Sequence, residues 1–151
     1  MRKLVLAAAL MVVAGIGGYW ALVGAAPVEI PYEDAERVAE GAPLYAAHCA
    51  ACHGENLEGE PDWQMAGDDG YWPAPPHDET GHTWHHQDEL LFRITKLGSA
   101  EVVGGGHKSN MMGFGDILSD REILSVLAFI KSTWPDRVIE QHNRVNGRPG
   151  G

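Results

Sequence analysis

The motif Cys49-Ala50-Ala51-Cys52-His53 constrains this chain more than any other feature. Its cysteines are the only two among 151 residues, so no disulfide framework is expected. A redox dithiol would accompany a βαβ pattern, and a zinc site would need a second ligand pair at finger spacing; the sequence has neither. Two thiols spaced in this way at a helix end reach the two vinyl groups of a haem, and the next imidazole reaches its iron. The motif therefore predicts one covalent haem c, attached through Cys49 and Cys52, with His53 as an iron ligand.

The first 25 residues have the pattern of a targeting segment. A basic start, Arg2-Lys3, precedes an uncharged stretch over residues 4–23, about the length of a membrane-spanning helix. We expect residues 1–25 to be an uncleaved signal anchor, or alternatively a signal peptide, followed by a linker over residues 26–33. In both cases the basic start stays inside, and the rest lies on the periplasmic side of the bacterial inner membrane, tethered or soluble.

Acidic side chains dominate the exported part of the chain. All 21 acidic residues lie from Glu29 onwards, and so do nine of the 11 basic residues. This part of the chain therefore has a net charge of −12. Such a surface disfavours binding to nucleic acid and to anionic lipid. It favours redox partner proteins with a basic docking face, although an acidic coat that serves solubility alone has the same composition.

Helical periodicity predicts an all-α domain over residues 34–135. The first helix is expected to run from Asp34, its N-cap, to about Cys49, with Pro43 marking a kink or a late start. The second is expected over Asp88–Leu97 before a glycine that suits a helix C-terminus. Its apolar stripe is formed by Leu90, Leu91, Ile94 and Leu97.

The last predicted helix of the domain begins at a capping box. Ser119 stands at the N-cap and Glu122 three positions later, and apolar residues continue to about Thr133. Residues 136–151 are expected to form a helical or frayed tail. No strand pattern is apparent. We expect three to five helices joined by long loops over residues 54–86 and 98–115. So small a domain needs a filler for its core, which a haem would supply.

A second iron ligand is expected from the loop before the last helix of the domain. Met111 and Met112 lie there between glycines, and a thioether ligand raises the reduction potential of a haem. A methionine is otherwise a common core filler. Met11 lies in the targeting segment and Met65 in the first loop, so both are weaker candidates.

Three blocks of sequence resemble the small bacterial class I cytochromes c. They are Gly41–Gly54, which includes the cysteine motif, Asp88–Gly98, and Asn110–Pro135. The resemblance implies the class I cytochrome c fold, with three to five helices around one haem, and a monohaem electron carrier with no catalytic residues. Members commonly carry Met-Pro-x-Phe at the ligand loop. Aligning Phe114 therefore favours Met111 as the ligand, with Met112 in the place of the proline and as the alternative.

The same resemblance implies two further contacts. The first and last helices should cross with a small residue against an aromatic one, for which Gly41 and Phe129 are the counterparts. A proline carbonyl should hold the Nδ1–H of His53 and so orient its ring. The sequence does not choose among Pro73, Pro75 and Pro76 for that role.

A histidine-rich loop follows these prolines. Its four histidines are His77, His82, His85 and His86, with His107 elsewhere in the chain. One hypothesis is a second metal site for copper or zinc. The favoured alternative is a cover over the haem edge, in which Trp84 and Arg93 contact the propionates. The rival functions are a haem enzyme with an open iron site, a copper-binding haem protein, and an electron-transfer subunit of a larger complex.

Overall fold

The computed structural model describes residues 27–148, and this part of the chain is mostly helical. Its helices are α1 (Ala35–His48), α2 (Ala50–His53), α3 (Asp88–Leu97), α4 (Ser99–Val103), α5 (Asp120–Ser132) and α6 (Asp136–Val145), with a 3₁₀ turn at Thr83–His85. Two short strands, β1 (Tyr71–Trp72) and β2 (Lys108–Ser109), pair in parallel. The helical class is confirmed, and the strand pair is an addition that the sequence did not predict.

The predicted membrane segment, residues 1–25, lies outside the described residues. Among residues 27–148, no helix combines the length and the apolar character that crossing a bilayer requires.

Local capping explains where the two longest helices begin. The Asp34 carboxylate accepts hydrogen bonds from the first-turn amides of α1, and this helix begins at Ala35 although Pro43 lies inside it. The Ser119 side chain and the Glu122 carboxylate form the predicted capping box at α5. Each cap satisfies amides that otherwise lack partners at a helix start.

Helices α1 and α5 cross at Gly41. A Cβ atom at this position would overlap the Ser125 carbonyl group and lie 2.9 Å from Phe129 Cβ. The ring of Tyr45, one turn further along α1, packs on the Phe129 ring with centroids 5.4 Å apart. The expected contact between a small and an aromatic residue is confirmed.

The buried face of helix α3 is more polar than the apolar stripe that the sequence predicts. Asp88, Leu91 and Thr95 are its buried residues, whereas Leu97 at its end is exposed. Burial of Thr95 is tolerated because its hydroxyl donates to the Leu91 carbonyl at 2.9 Å. Leu91 of the predicted stripe is buried, and Leu97 lies beside the methionine loop, next to Gly113.

The segment before α1 and helix α6 both pack on the core. Ile30, from the predicted linker, and Val138, from the predicted tail, are buried, and His142 of α6 is fully buried. The Asp88 carboxylate joins the two segments, because it accepts from the Ile30 amide at 2.9 Å and from the Arg148 guanidinium at 2.7 Å. Helix α6 lies within the predicted tail, and its attachment to the core was not predicted.

Candidate haem site

The cysteine motif occupies one helical turn directly after α1. Cys49 ends α1, and its carbonyl accepts from the amides of Cys52 and His53 at 3.1 and 3.0 Å. Gly54 then closes the turn at φ +83°, in the left-handed region that favours glycine. Both cysteines are free thiols, Cys49 half-buried and Cys52 exposed. Positions three apart on a helix face the same side, so both sulfurs are available to one ligand.

The imidazole of His53 is buried and held in one orientation. Its Nδ1 lies 2.8 Å from the carbonyl oxygen of Pro75. A carbonyl only accepts, so Nδ1 carries the proton and Nε2 keeps its lone pair for a metal. Burial lowers the pKa of His53, which favours the neutral, ligating form. Of the three prolines that the sequence offered, Pro75 makes this bond.

A second imidazole lies directly against the ring of His53. The rings of His53 and His77 are stacked, with centroids 3.9 Å apart and planes 20° apart. His77 Nδ1 is 2.8 Å from the Thr83 hydroxyl, and the His77 amide donates to the Leu57 carbonyl at 2.8 Å. His77 therefore packs beside His53, a role that the sequence did not suggest.

The loop that carries the two methionines is bound to the end of α3. The Met111 carbonyl accepts from the Ser99 amide at 3.2 Å, and the Phe114 amide donates to the Thr95 carbonyl at 2.9 Å. Gly113 permits this approach, because a Cβ there would lie 2.6 Å from the Leu97 carbonyl carbon. Met112 is 58% exposed, whereas Met111 is half-buried.

The strand pair joins the two loops that hold the candidate ligands. Tyr71 of β1 aligns with Lys108 of β2, and Trp72 with Ser109. Strand β1 leads into the segment of Pro75, and the Ser109 hydroxyl accepts from the Met111 amide at 3.1 Å. The positions of His53 and Met111 are thus linked through backbone structure.

The histidine-rich loop pairs its rings with aromatic neighbours. His82 stacks on Trp63 with centroids 5.0 Å apart, and His85 packs against Trp84 at 3.6 Å. His86 meets His82 edge to face. Within residues 27–148 no three His, Cys, Asp or Glu side chains gather as a metal ion requires. The copper or zinc hypothesis for His77, His82, His85 and His86 therefore finds no support there.

The two candidate propionate contacts differ in their surroundings. Trp84 is half-buried, and its indole N–H donates to the Glu79 carbonyl at 3.4 Å. Arg93 is exposed on α3. Both remain predictions.

Comparison with protein families identifies the chain. The model of the cytochrome c family matches residues 38–134, which include the cysteine motif, the histidine-rich loop and both methionines. The chain belongs to the cytochrome c family.

Two proteins of known family are similar to this cytochrome, one in sequence and one in structure. It is 30% identical over 112 residues to FixP, a subunit of the cbb3-type cytochrome c oxidase of Azorhizobium caulinodans, which covers 68% of the chain. The chain spans about a third (34%) of the length of that relative. The crystal structure of cytochrome cL from Methylophaga aminisulfidivorans superposes with a TM-score of 0.50 at 23% identity, covering 80% of this chain and 71% of the other. This second likeness supports the fold.

Membership of the family implies a covalently bound haem c, and the residues present fit one. Two free thiols lie one turn apart, and the adjacent imidazole uses Nδ1 for the bond to Pro75, which leaves the Nε2 lone pair as its metal donor. A thioether is offered by a loop bound to the far end of α3. These are the donor types that c-type haem uses.

Proposed function

We propose that this cytochrome carries single electrons on one haem c, bound through Cys49 and Cys52, with His53 and Met111 as iron ligands. The observation that carries the proposal is the 2.8 Å hydrogen bond from His53 Nδ1 to Pro75, beside two free thiols. A histidine held in this way presents Nε2 to iron, and the hydrogen bond from Nδ1 to the Pro75 carbonyl makes it a better ligand.

Haem supplies an iron that exchanges one electron between its ferrous and ferric forms. The chain supplies the environment. Pro75 fixes the orientation of the His53 ring, and the neighbouring His77 ring and buried surroundings keep water from it. A thioether from Met111 would raise the reduction potential relative to a second imidazole.

The local backbone favours Met111 over Met112 as the second ligand. Neighbouring residues of an extended backbone point to opposite sides, so Met111 and Met112 cannot both face the haem. The Met111 backbone is held on both sides, because its amide donates to the Ser109 hydroxyl and its carbonyl accepts from the Ser99 amide.

The proposed setting is the periplasmic side of the inner membrane. In this proposal residues 1–25 are a signal anchor or a signal peptide, residues 26–33 a connection, residues 34–135 the cytochrome domain and residues 136–151 a tail. The net charge of −12 after residue 26 suits redox partners with a basic face.

A second candidate function is that of an electron-transfer subunit in an oxidase complex. The similarity to FixP, itself an oxidase subunit, favours it. Both candidates need the same haem chemistry and differ in whether the partner remains bound.

Protein matured with haem provides the test. We expect haem to stay attached after denaturation and to titrate as a single one-electron couple, whereas Cys49→Ser/Cys52→Ser loses covalent attachment. Met65→Leu, at an exposed methionine, serves as the control and should keep both properties. Haem that acid and organic solvent extract from the wild type, or a five-coordinate high-spin ferric iron, would contradict the proposal.

A further inference from the structure

Residues 60–74 form a loop that closes on itself beside the haem site. The Glu60 amide donates to the Ala74 carbonyl at 2.8 Å, and the Ala74 amide donates to the Glu60 carboxylate at 2.6 Å. Gly59 lets the base of the loop press on the chain near Pro75, since a Cβ there would lie 2.7 Å from the Pro75 carbonyl carbon. We call residues 60–74 the acidic aromatic loop.

This loop exposes three large apolar side chains. Met65 is 65% exposed, Trp72 44% and Tyr71 38%. Backbone bonds hold the segment in place, because the Gly67 amide donates to the Tyr71 carbonyl at 2.9 Å and β1 pairs with β2. Large apolar side chains held in exposed positions are typical of a segment that contacts another molecule.

The charge of the acidic aromatic loop has one sign. It contains four acidic residues and no Lys or Arg. Lys108 contacts it from β2, where its ammonium group donates to the Asp69 carbonyl at 3.0 Å and lies 5.7 Å from the Tyr71 ring centre. Exposed apolar side chains set among acidic ones match a protein surface that carries apolar residues together with Lys and Arg. It repels a bilayer rich in anionic lipid.

The loop also has a short connection to both candidate iron ligands. Trp72 lies three residues before Pro75, whose carbonyl holds His53, and it aligns with Ser109, whose hydroxyl holds the Met111 amide. A partner seated on this surface would therefore lie beside the segments that carry the redox centre.

We propose that the acidic aromatic loop is the docking surface for a redox partner protein whose face carries apolar residues together with Lys and Arg. Apolar contact through side chains of this loop holds the complex, and its acidic residues attract and orient the partner. This inference rests on the proposed electron-carrier function. It adds the surface on which the partner binds.

The test measures electron transfer from the reduced full-length holoprotein to a lysine-rich soluble cytochrome c as probe, by stopped flow at low ionic strength. Tyr71→Ser/Trp72→Ser and Asp62→Asn/Asp68→Asn should each lower the bimolecular rate by ~10-fold. Val103→Ser, at a 57% exposed apolar residue, and Glu101→Gln, at an exposed acid on the same helix α4, are the matched controls and should stay within about twofold.

Reduction of hexacyanoferrate, a small oxidant that needs no docking surface, and the midpoint potential should be unchanged in Tyr71→Ser/Trp72→Ser. For the charge variants the hexacyanoferrate reaction is compared at high ionic strength, where salt screens the repulsion between this anion and the acidic surface. Loop variants that react with the cytochrome probe at the wild-type rate would overturn the docking surface, as would controls that slow it equally. A concentration-dependent dimer abolished by the loop substitutions, with no change in rate, would assign the surface to self-association instead and overturn the proposal. A wild-type protein without a one-electron couple would contradict the proposed function itself.

Discussion

At the scale of single residues, His142 of α6 shows how burial changes the pKa of a histidine. Its Nε2 lies 3.0 Å from the His86 carbonyl, and its Nδ1 has no partner. Burial, reinforced by the nearby Lys131 ammonium, lowers the pKa of His142 to about 4 from an ordinary 6.5, against the opposing influence of Asp88. The Arg148 guanidinium also lowers it. The folded protein therefore holds His142 neutral.

The stability of the protein should consequently fall with acid. Between pH 6.5 and about 4 the unfolded chain binds a proton at His142 that the folded protein does not, so unfolding becomes easier as the pH decreases through this window. Denaturant unfolding of the holoprotein at about pH 7 and about pH 5 measures the effect. His142→Gln, which keeps a donor for the His86 carbonyl, should show a smaller loss than the wild type. Equal losses in the two proteins would contradict this account.

Lys131 is a residue whose burial sequence patterns do not predict. A lysine on a helix ordinarily faces solvent, yet Lys131 of α5 is fully buried, with its ammonium 2.7 Å from Asn143 Oδ1 and 4.1 Å from the centre of the Tyr32 ring. Burial lowers the pKa of Lys131 to about 8. Neither partner is near it in sequence, so only the packing of α6 and of the segment before α1 identifies this site.

At the scale of elements, the crossing of α1 and α5 depends on Gly41. The absence of a side chain lets the backbone of α1 approach the Ser125 carbonyl and the Phe129 side chain. Arg37 of α1 adds a bond across the crossing, since its guanidinium donates to the Arg121 carbonyl at 2.6 Å.

Gly41→Ala should destabilise the fold by about 1–3 kcal/mol, because the added methyl group must push the two helices apart. Thermal unfolding of the holoprotein followed by circular dichroism measures the effect. Gly67→Ala is the matched control, since its new Cβ would come no closer than 3.1 Å to a neighbour, and it should unfold close to the wild-type temperature. A Gly41→Ala protein as stable as the control would show that the helices do not pack this closely.

The helices were predictable because their signals are local. Asp34, and the pair Ser119 and Glu122, mark helix starts by bonds to amides within three residues. The choice of Pro75 was not predictable, because three prolines lie within four positions and only the path of the loop distinguishes them. The burial of α6 was missed because its sequence is mostly polar and one of its two buried residues is a histidine, His142, beside Val138.

At the scale of the whole molecule, the strand pair and the glycine contacts bring distant segments to one place. The pairing of Tyr71–Trp72 with Lys108–Ser109 links loops that lie on opposite sides of α3 in the sequence. Gly98 and Gly113 bring the methionine loop against the end of α3. The turn with two cysteines and a histidine thus lies in the same domain as a methionine whose backbone is fixed, which is what the central proposal requires.

The most direct test of that proposal is the absorption spectrum of the ferric holoprotein. Thioether ligation of ferric haem gives a weak far-red band, which we expect in the wild type and in Met112→Ala and which should be absent in Met111→Ala. Met112→Ala is the matched control, since it removes an equal side chain from the adjacent, exposed position. No band in the wild type, or a band that survives in Met111→Ala and disappears in Met112→Ala, would contradict the assignment of Met111 as the ligand.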